Sequence, residues 1–236
     1  MSTMPRVAGS ELMDELAQDR GELERSLRDL RAVNRWLGGT RVVLHHLADL
    51  VRRHPRAEYR ILDIATGSGD IPLQVAKWAR AEDAQVAIVA TDNHPTTLEA
   101  ARAHTAADPA IRVEVADALK LPYADESFDF VLLSTALHHF DDERDCIRVL
   151  REMHRVCRIG FIVNDLARSR PALLGARLLA ITFWRTHPVT RHDGPLSVRR
   201  SFTPAELRSL AARAGFANGR VEAHFPFRLA LVVEKE

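Results

Sequence analysis

From Tyr59 onward the chain alternates short, β-rich apolar runs with helical patterns, and no other feature restricts its fold as strongly. "YRILDIA", "VAIVATD", "IRVEVAD", "FDFVLLSTA" and "RVCRIGFIVND" read as strands. Between them, "IPLQVAKWARA", "PTTLEAARAHTA" and the segment Asp141–His154 read as helices. Strand–helix alternation demands a parallel sheet, because parallel neighbours need a crossover long enough for a helix. The strand runs are almost wholly apolar rather than alternating, as expected of strands buried on both faces. A doubly wound α/β sheet with helices on both sides satisfies both requirements. "FTPAELRSLAARAGF" follows as a helix, with Thr203 as N-cap, Pro204 in the first turn and Gly215 as the stop. "GRVEAHF" and "RLALVVEKE" close the chain as two strands.

The N-terminal part has a different texture. Residues 10–54 carry a helical pattern, with Leu12, Leu16, Leu23, Leu27, Leu30, Val33 and Leu37 recurring between charged residues. Gly38 and Gly39 interrupt it, and a second helix runs from Thr40 to about Arg53, ending at His54-Pro55. The expected division is a helical cap over 1–56 and a main domain over 57–236, with an insertion of mixed character at about 166–200. Hydrophobic residues make up 46% of the 236 residues, enough to build a sizeable core and to exclude disorder. Lys plus Arg (33) and Asp plus Glu (32) nearly cancel, so no electrostatic case exists for gripping a long nucleic acid. Cys146 and Cys157 form no CxxC and are expected to be free thiols in a reducing compartment. The N-terminus has no basic n-region followed by an apolar h-region. The longest apolar helical stretch, Pro171–Trp184, is broken by Arg177 and falls short of the ~20 residues a membrane span needs. These features lead to the expectation of a cytoplasmic protein without a membrane span.

The ligand chemistry is written in "ILDIATGSGDIP". A strand, a glycine turn and a helix bring backbone N–H groups close to a ligand. A dinucleotide-binding turn wants a third small residue where Pro72 stands, and Asp63 and Asp70 would repel a pyrophosphate. A cationic or zwitterionic ligand fits better, which weighs against a nicotinamide oxidoreductase. Asp92 ends the second strand, where an acid can accept hydrogen bonds from ribose hydroxyls, and Asp117 ends the third. Each alone could equally be a turn residue or helix cap. Three acids at the carboxyl ends of three consecutive strands point to the ligand edge of the sheet.

With these motifs the sequence resembles the class I S-adenosylmethionine-dependent methyltransferases, over about Tyr59 to Phe216. "ILDIATGSGD" is similar to the family's glycine motif, with Ala65 in place of its first glycine; "ATDNHPTTLEAAR" is similar to its ribose-binding segment. "VADALKLPYADESFDFVLLSTALHHF" is similar to the adenine loop and fourth strand of members that methylate quinone precursors and other small molecules. The resemblance implies a Rossmann-like, doubly wound, seven-stranded sheet with the last strand antiparallel. It implies S-adenosyl-L-methionine as cofactor and S-adenosyl-L-homocysteine as product. Gly67 and Gly69, with Ala65, Thr66 and Ser68 in the same turn, would line the methionine portion. Asp63 would order the turn and Asp70 meet the amino group. Asp92 would bind the ribose with Asn93 beside the adenine, Asp117, Ala118 and Leu119 would contact the adenine edge, and Ser134 would lie beneath the sulfonium.

Methyl transfer from a sulfonium is an in-line displacement, so the protein supplies alignment and, for a hydroxyl acceptor, a proton sink. His138 and His139 follow the fourth strand and are candidates for that base; a cap or backbone contact is the other reading of each. Asp165 could orient an acceptor hydroxyl or start the next turn. The insertion lies where this family builds its acceptor lid. Its apolar residues, including Leu173, Leu178, Phe183 and Trp184, exceed what one packed face needs. An aromatic or hydrophobic acceptor, or a homodimer contact, would use the surplus. His187, His192 and Asp193 are further proton-transfer candidates without the spacing of a metal triad. "NDLARSR", "NRWLGG" and "HDGPLSVRRSFTPAELRSLAARAGF" look like methyltransferases found alongside bacterial polyketide-type pathways. The expected reaction is O-methylation of a phenolic or polyketide-derived ring. Its alternatives are C-methylation of a quinol-type ring and a non-catalytic member of the fold that binds or scaffolds. No Asn-Pro-Pro-aromatic motif follows the fourth strand, which weighs against amino-group methylation of bases.

Overall fold

The computed structural model describes residues 4–15 and 19–235. Seven strands form one sheet: β1 (Glu58–Ile64), β2 (Gln85–Asp92), β3 (Ile111–Val115), β4 (Phe128–Ser134), β5 (Cys157–Leu166), β6 (Arg220–His224) and β7 (Arg228–Glu234). Their order is β3-β2-β1-β4-β5-β7-β6. The register Leu62–Val89 and Leu62–Val131 runs parallel, whereas Val163–Leu231 and Glu222–Ala230 pair antiparallel, so β7 alone opposes its neighbours. The chain reverses its direction of growth between β1 and β4. That switch point, at the carboxyl ends of the strands, is where open α/β sheets place their ligands.

Helices cover both faces. Against one face, Leu62, Phe128, Val131 and Leu133 pack with Val149 and Met153 of α5 (Glu143–Val156) and with Leu207 and Leu210 of α8 (Pro204–Ala214). Against the other, Ile61, Phe130, Leu132 and Ile162 meet Val43 and Leu47 of α2 (Gly39–Arg53) and Ile71 and Val75 of α3 (Asp70–Ala81). Adjacent residues such as Ile61 and Leu62 thus serve opposite cores, which is why the strands read as unbroken apolar runs. The α2 helix is packed directly on the sheet. By contrast, α1 (Arg20–Trp36) lies against α2, α4 (Pro95–Thr105) and α7 (Pro188–Arg200).

The helical pattern expected from residue 10 is not one helix. Leu12–Asp14 forms a single 3-10 turn flanked by extended backbone at Glu11 and Glu15. The α1 helix starts at Arg20, where Asp19 Oδ1 accepts the Glu22 N–H at 3.0 Å. A side-chain cap fixes the start more sharply than leucine spacing does. Leu16 lies outside the described residues. The insertion after β5 resolves into α6 (Arg170–Ile181) and α7, with Ser169 capping α6. Thr203 and Glu206 form a reciprocal capping box at α8, and Gly215 ends that helix in the left-handed region, as the sequence indicates. Among the described residues, no helix is long and apolar enough to cross a membrane.

Candidate active site

The glycine turn joins β1 to α3 at the switch point. Gly67 and Gly69 have φ of +58° and +74°, and a Cβ on Gly69 would stand 2.6 Å from Thr105 Cγ2. Both glycines are therefore required by backbone conformation, and Gly69 also by α4 packing. Ala65 shares the left-handed conformation at φ +52°, so alanine carries strain where the related motif has glycine. Asp92 closes the turn: Oδ2 accepts the Gly67 N–H at 3.0 Å and Oδ1 the His94 N–H at 3.0 Å. Asp70 Oδ2 accepts the Asn34 amide at 3.1 Å, tying the turn to α1. Asp63 is 1% exposed, and its Oδ1 has no hydrogen-bond partner among the described residues. Burial pushes its pKa up to about 8, with the negative charges of Asp70 and Asp92 adding to the effect. Burial also raises Asp70 and Asp92. Three carboxyl groups crowded in low dielectric thus disfavour their own ionisation.

The other residues of the predicted ligand edge are less engaged. Asn93 and Asp117 are exposed, and Asp117 Oδ1 accepts the Leu119 N–H at 2.9 Å as a turn residue does. Ala118 is half-buried, packed against the core. At the end of β4, Ser134 Oγ accepts the Asn164 amide at 2.7 Å. Thr135 follows with φ +55° and donates its N–H to the Asn164 carbonyl at 2.7 Å.

Beside this edge lies a cavity of about 330 Å³, within the range of small-molecule sites. Leu30 and Val33 of α1, Leu179 of α6, Trp184, Val198 and Phe227 supply apolar wall. Trp184 is nearly buried and packs on Gly194, where a Cβ would come within 2.7 Å of its ring. Arg228, at the start of β7, is the cavity's buried cation, 1% exposed. It donates to Thr135 Oγ1 (2.8 Å), the Leu37 carbonyl (3.2 Å) and Asn34 Oδ1 (3.3 Å), all neutral oxygens. No carboxylate lies within ion-pair distance of it among the described residues, and burial lowers its pKa to about 10.

Residues 61–160 match a family model described as "Methyltransferase domain". The chain is 39% identical over 132 residues to a demethylmenaquinone methyltransferase of Deinococcus radiodurans, covering 55% of this chain and 51% of that one. It is 33% identical over 120 residues to the ubiquinone/menaquinone biosynthesis C-methyltransferase UbiE of Rickettsia akari, covering 49% and 47%. The chain thus spans about half the length of these curated relatives. A crystal structure of an S-adenosylmethionine-dependent methyltransferase from Aquifex aeolicus superposes with TM-score 0.63 at 15% identity, covering 89% of this chain and 97% of that one. Residues 61–160 are thus similar to a methyltransferase domain, on a fold shared with S-adenosylmethionine-dependent methyltransferases.

The predicted acid–base residues do not converge on the cavity. His138 is 1% exposed and does not line it. Its Nδ1–H donates to Asp165 Oδ1 at 2.6 Å, and its backbone N–H donates to Asp165 Oδ2 at 3.0 Å. Burial opposes charge on the ring, but Asp165 and Glu11 outweigh it and raise its pKa to about 10. Asp165 is held below its usual range in return: burial opposes ionisation, and His138 overrides it. His139 pairs through Nδ1 with Asp14 Oδ2 at 2.8 Å. His192 is half-exposed and bonds Asp193, while His187 bonds Asp29 of α1. Asp193 does line the cavity, and it accepts the Leu12 and Met13 N–H groups, holding down the N-terminal segment. The surplus apolar residues of the insertion divide: Leu173 and Trp184 face inward, whereas Leu174, Ile181 and Phe183 are exposed.

Sequence reasoning missed Glu11, Asn34, Thr135 and Arg228. Asn34 joins the N-terminal helices to the turn through Asp70. The one signal for Arg228 was a charge opening an otherwise apolar strand.

Proposed function

We propose that this domain transfers the methyl group of S-adenosyl-L-methionine to a ring carbon of a hydroxylated, hydrophobic acceptor held in the cavity against Arg228. The buried guanidinium without a carboxylate partner carries the reading. A buried cation in an apolar wall stabilises an anion there, and an ionised ring hydroxyl is the hydrophobic group that supplies one. Such a phenolate makes its ring carbons nucleophilic. The relatives named for carbon methylation of quinone precursors support attack through carbon rather than oxygen. His138 is committed to Asp165, so neither outcome draws on it as a base.

The turn suits the cofactor by its chemistry. Its buried, partnerless Asp63 Oδ1 and raised carboxylate pKa values favour a ligand with ammonium and sulfonium charges, and the positive-φ glycines leave room for close approach. When bound, the cofactor supplies an electrophilic methyl group whose C–S electron pair stays on sulfur. Gly67, Gly69, Ala65, Thr66 and Ser68 would form the turn around its amino-acid part. Asp70 would hold the ammonium, Asp92 the ribose, and Asn93, Asp117, Ala118 and Leu119 the adenine side. Arg228 would fix the acceptor oxygen and so the ring orientation, with Thr135 and Asn34 steadying the guanidinium. After transfer the methylated carbon would give its proton to water, the C–H electron pair returning to the ring to restore its aromaticity. Incubating the protein with methyl-labelled cofactor and a panel of naphthoquinols and phenols, then locating the label by NMR, tests this. A ring-carbon methyl is expected; a methoxy signal alone would reverse the preference.

A further inference from the structure

We propose that Glu11, His138 and His139 form a binding site for one divalent metal ion of the zinc class. Glu11 comes from the N-terminal segment and the histidines from the 3-10 turn Leu137–His139 after β4. Their ligand atoms lie within 4.8 Å of one another. His138 Nε2 is 3.5 Å from Glu11 Oε1, and His139 Nε2 is 3.7 Å from Glu11 Oε2. These separations are long for hydrogen bonds. They are close to the roughly 3.3 Å between two ligand atoms that share a tetrahedral ion at ~2.0–2.1 Å.

Three further observations point to a ligand. His138 Nε2 is buried and, at 3.5 Å from Glu11 Oε1, makes no hydrogen bond among the described residues; a bound ion would displace the proton that Asp165 and Glu11 otherwise hold on the ring. Both Nδ1 atoms are taken by carboxylates, His138 by Asp165 and His139 by Asp14, which orients both Nε2 atoms toward Glu11. This carboxylate–imidazole pairing is how metal-bound histidines are held and made better donors. The surrounding charge also asks for a cation. Glu11, Asp14 and Asp141 share the Arg200 guanidinium, Asp165 pairs with His138 and feels Arg228 from further off, and Asp193 adds negative charge beside Glu11. Two imidazoles and a carboxylate suit zinc, cobalt or similar ions and leave coordination positions open. Since Glu11 also lines the cavity, the ion would stand at that end of it and fasten the N-terminal segment to the loop after β4.

A second cluster, His46, Glu222 and His224, is weaker. There the His46 and His224 Nε2 atoms are 2.9 Å apart and satisfy each other with one shared proton. The two sites are separable by mutation. The metal-stripped full chain is titrated with Co²⁺ and then Zn²⁺, following visible absorption and binding heat. One ion per chain is expected. Glu11→Gln and His139→Ala should abolish its uptake, and Asp14→Asn, on a half-exposed side chain, should weaken it about 10–100-fold. His46→Ala should retain it. Thermal unfolding and S-adenosylhomocysteine binding report whether each variant is folded, so turnover is not needed. No uptake by the wild type, uptake that survives in folded His139→Ala or Asp14→Asn unchanged, or uptake lost only with His46→Ala would each overturn the assignment.

Discussion

Ala65 illustrates how one side chain can be out of step with its backbone. Its φ of +52° lies where a Cβ is penalised, by ~1–2 kcal/mol, and glycine is not. Ala65→Gly relieves that strain but loses more chain entropy on folding, for a net gain of about 0.5–1 kcal/mol. The expected rise in Tm, ~1–4 °C, is read by calorimetry. Asp63 makes a pH-dependent statement. Its folded pKa of about 8 stands above the ~3.9 of an unfolded aspartate, so between those values the folded state holds the extra proton. The stability this contributes is full below about pH 4 and is lost as pH rises toward 8. Asp63→Asn should flatten that decline while weakening S-adenosylhomocysteine binding, and cofactor binding near neutral pH should release protons in calorimetry run in two buffers. His138 carries the opposite expectation from a general base. His138→Gln should leave the shape of the rate–pH profile unchanged, whereas loss of an ascending limb near pH 6–7 would restore it as the base.

The insertion forms a pair of helices whose inner faces close the cavity proposed to hold the acceptor. Trp184 is the residue that joins α6 to α7, and Gly194 leaves room for its ring. Trp184→Ala should cost stability toward the lower end of the ~3–5 kcal/mol typical of buried Trp truncation, because one side of the ring already faces a cavity. Acceptor KM should rise while S-adenosylhomocysteine Kd stays near wild type, as measured by steady-state kinetics and calorimetry on the same preparation. Equal loss of both would make Trp184 core alone. The α1 helix plays the complementary part from the other side. Asn34 bonds Asp70 of the glycine turn and accepts from Arg228, so one side chain links the cofactor edge to the acceptor cavity.

Across the whole molecule, Arg228 joins β7, β4 and α1 in one network, and its replacement tests the acceptor's charge. Arg228→Gln should weaken binding of an ionised ring hydroxyl far more than that of its methoxy analogue, seen by comparing inhibition constants of an acidic nitrophenol and its methyl ether near neutral pH, where Arg228 keeps its charge. The fold itself was legible because its signals are local: continuous apolar runs specify buried strands, and "TGSGD" specifies a tight turn wherever the chain goes. The three acids at strand ends were legible for the same reason, since parallel strands bring their carboxyl ends to one edge. What carried no local signal was partnership. Arg228 meets Thr135 and Asn34 across 93 and 194 residues of sequence, and His138 meets Glu11 from a segment that reads as plain helix. The sequence by itself thus determined the sheet, the turn and the cationic character of the ligand. Only the tertiary structure decided which buried charges are paired and which are not, because desolvation and pairing depend on helices packed from distant parts of the chain.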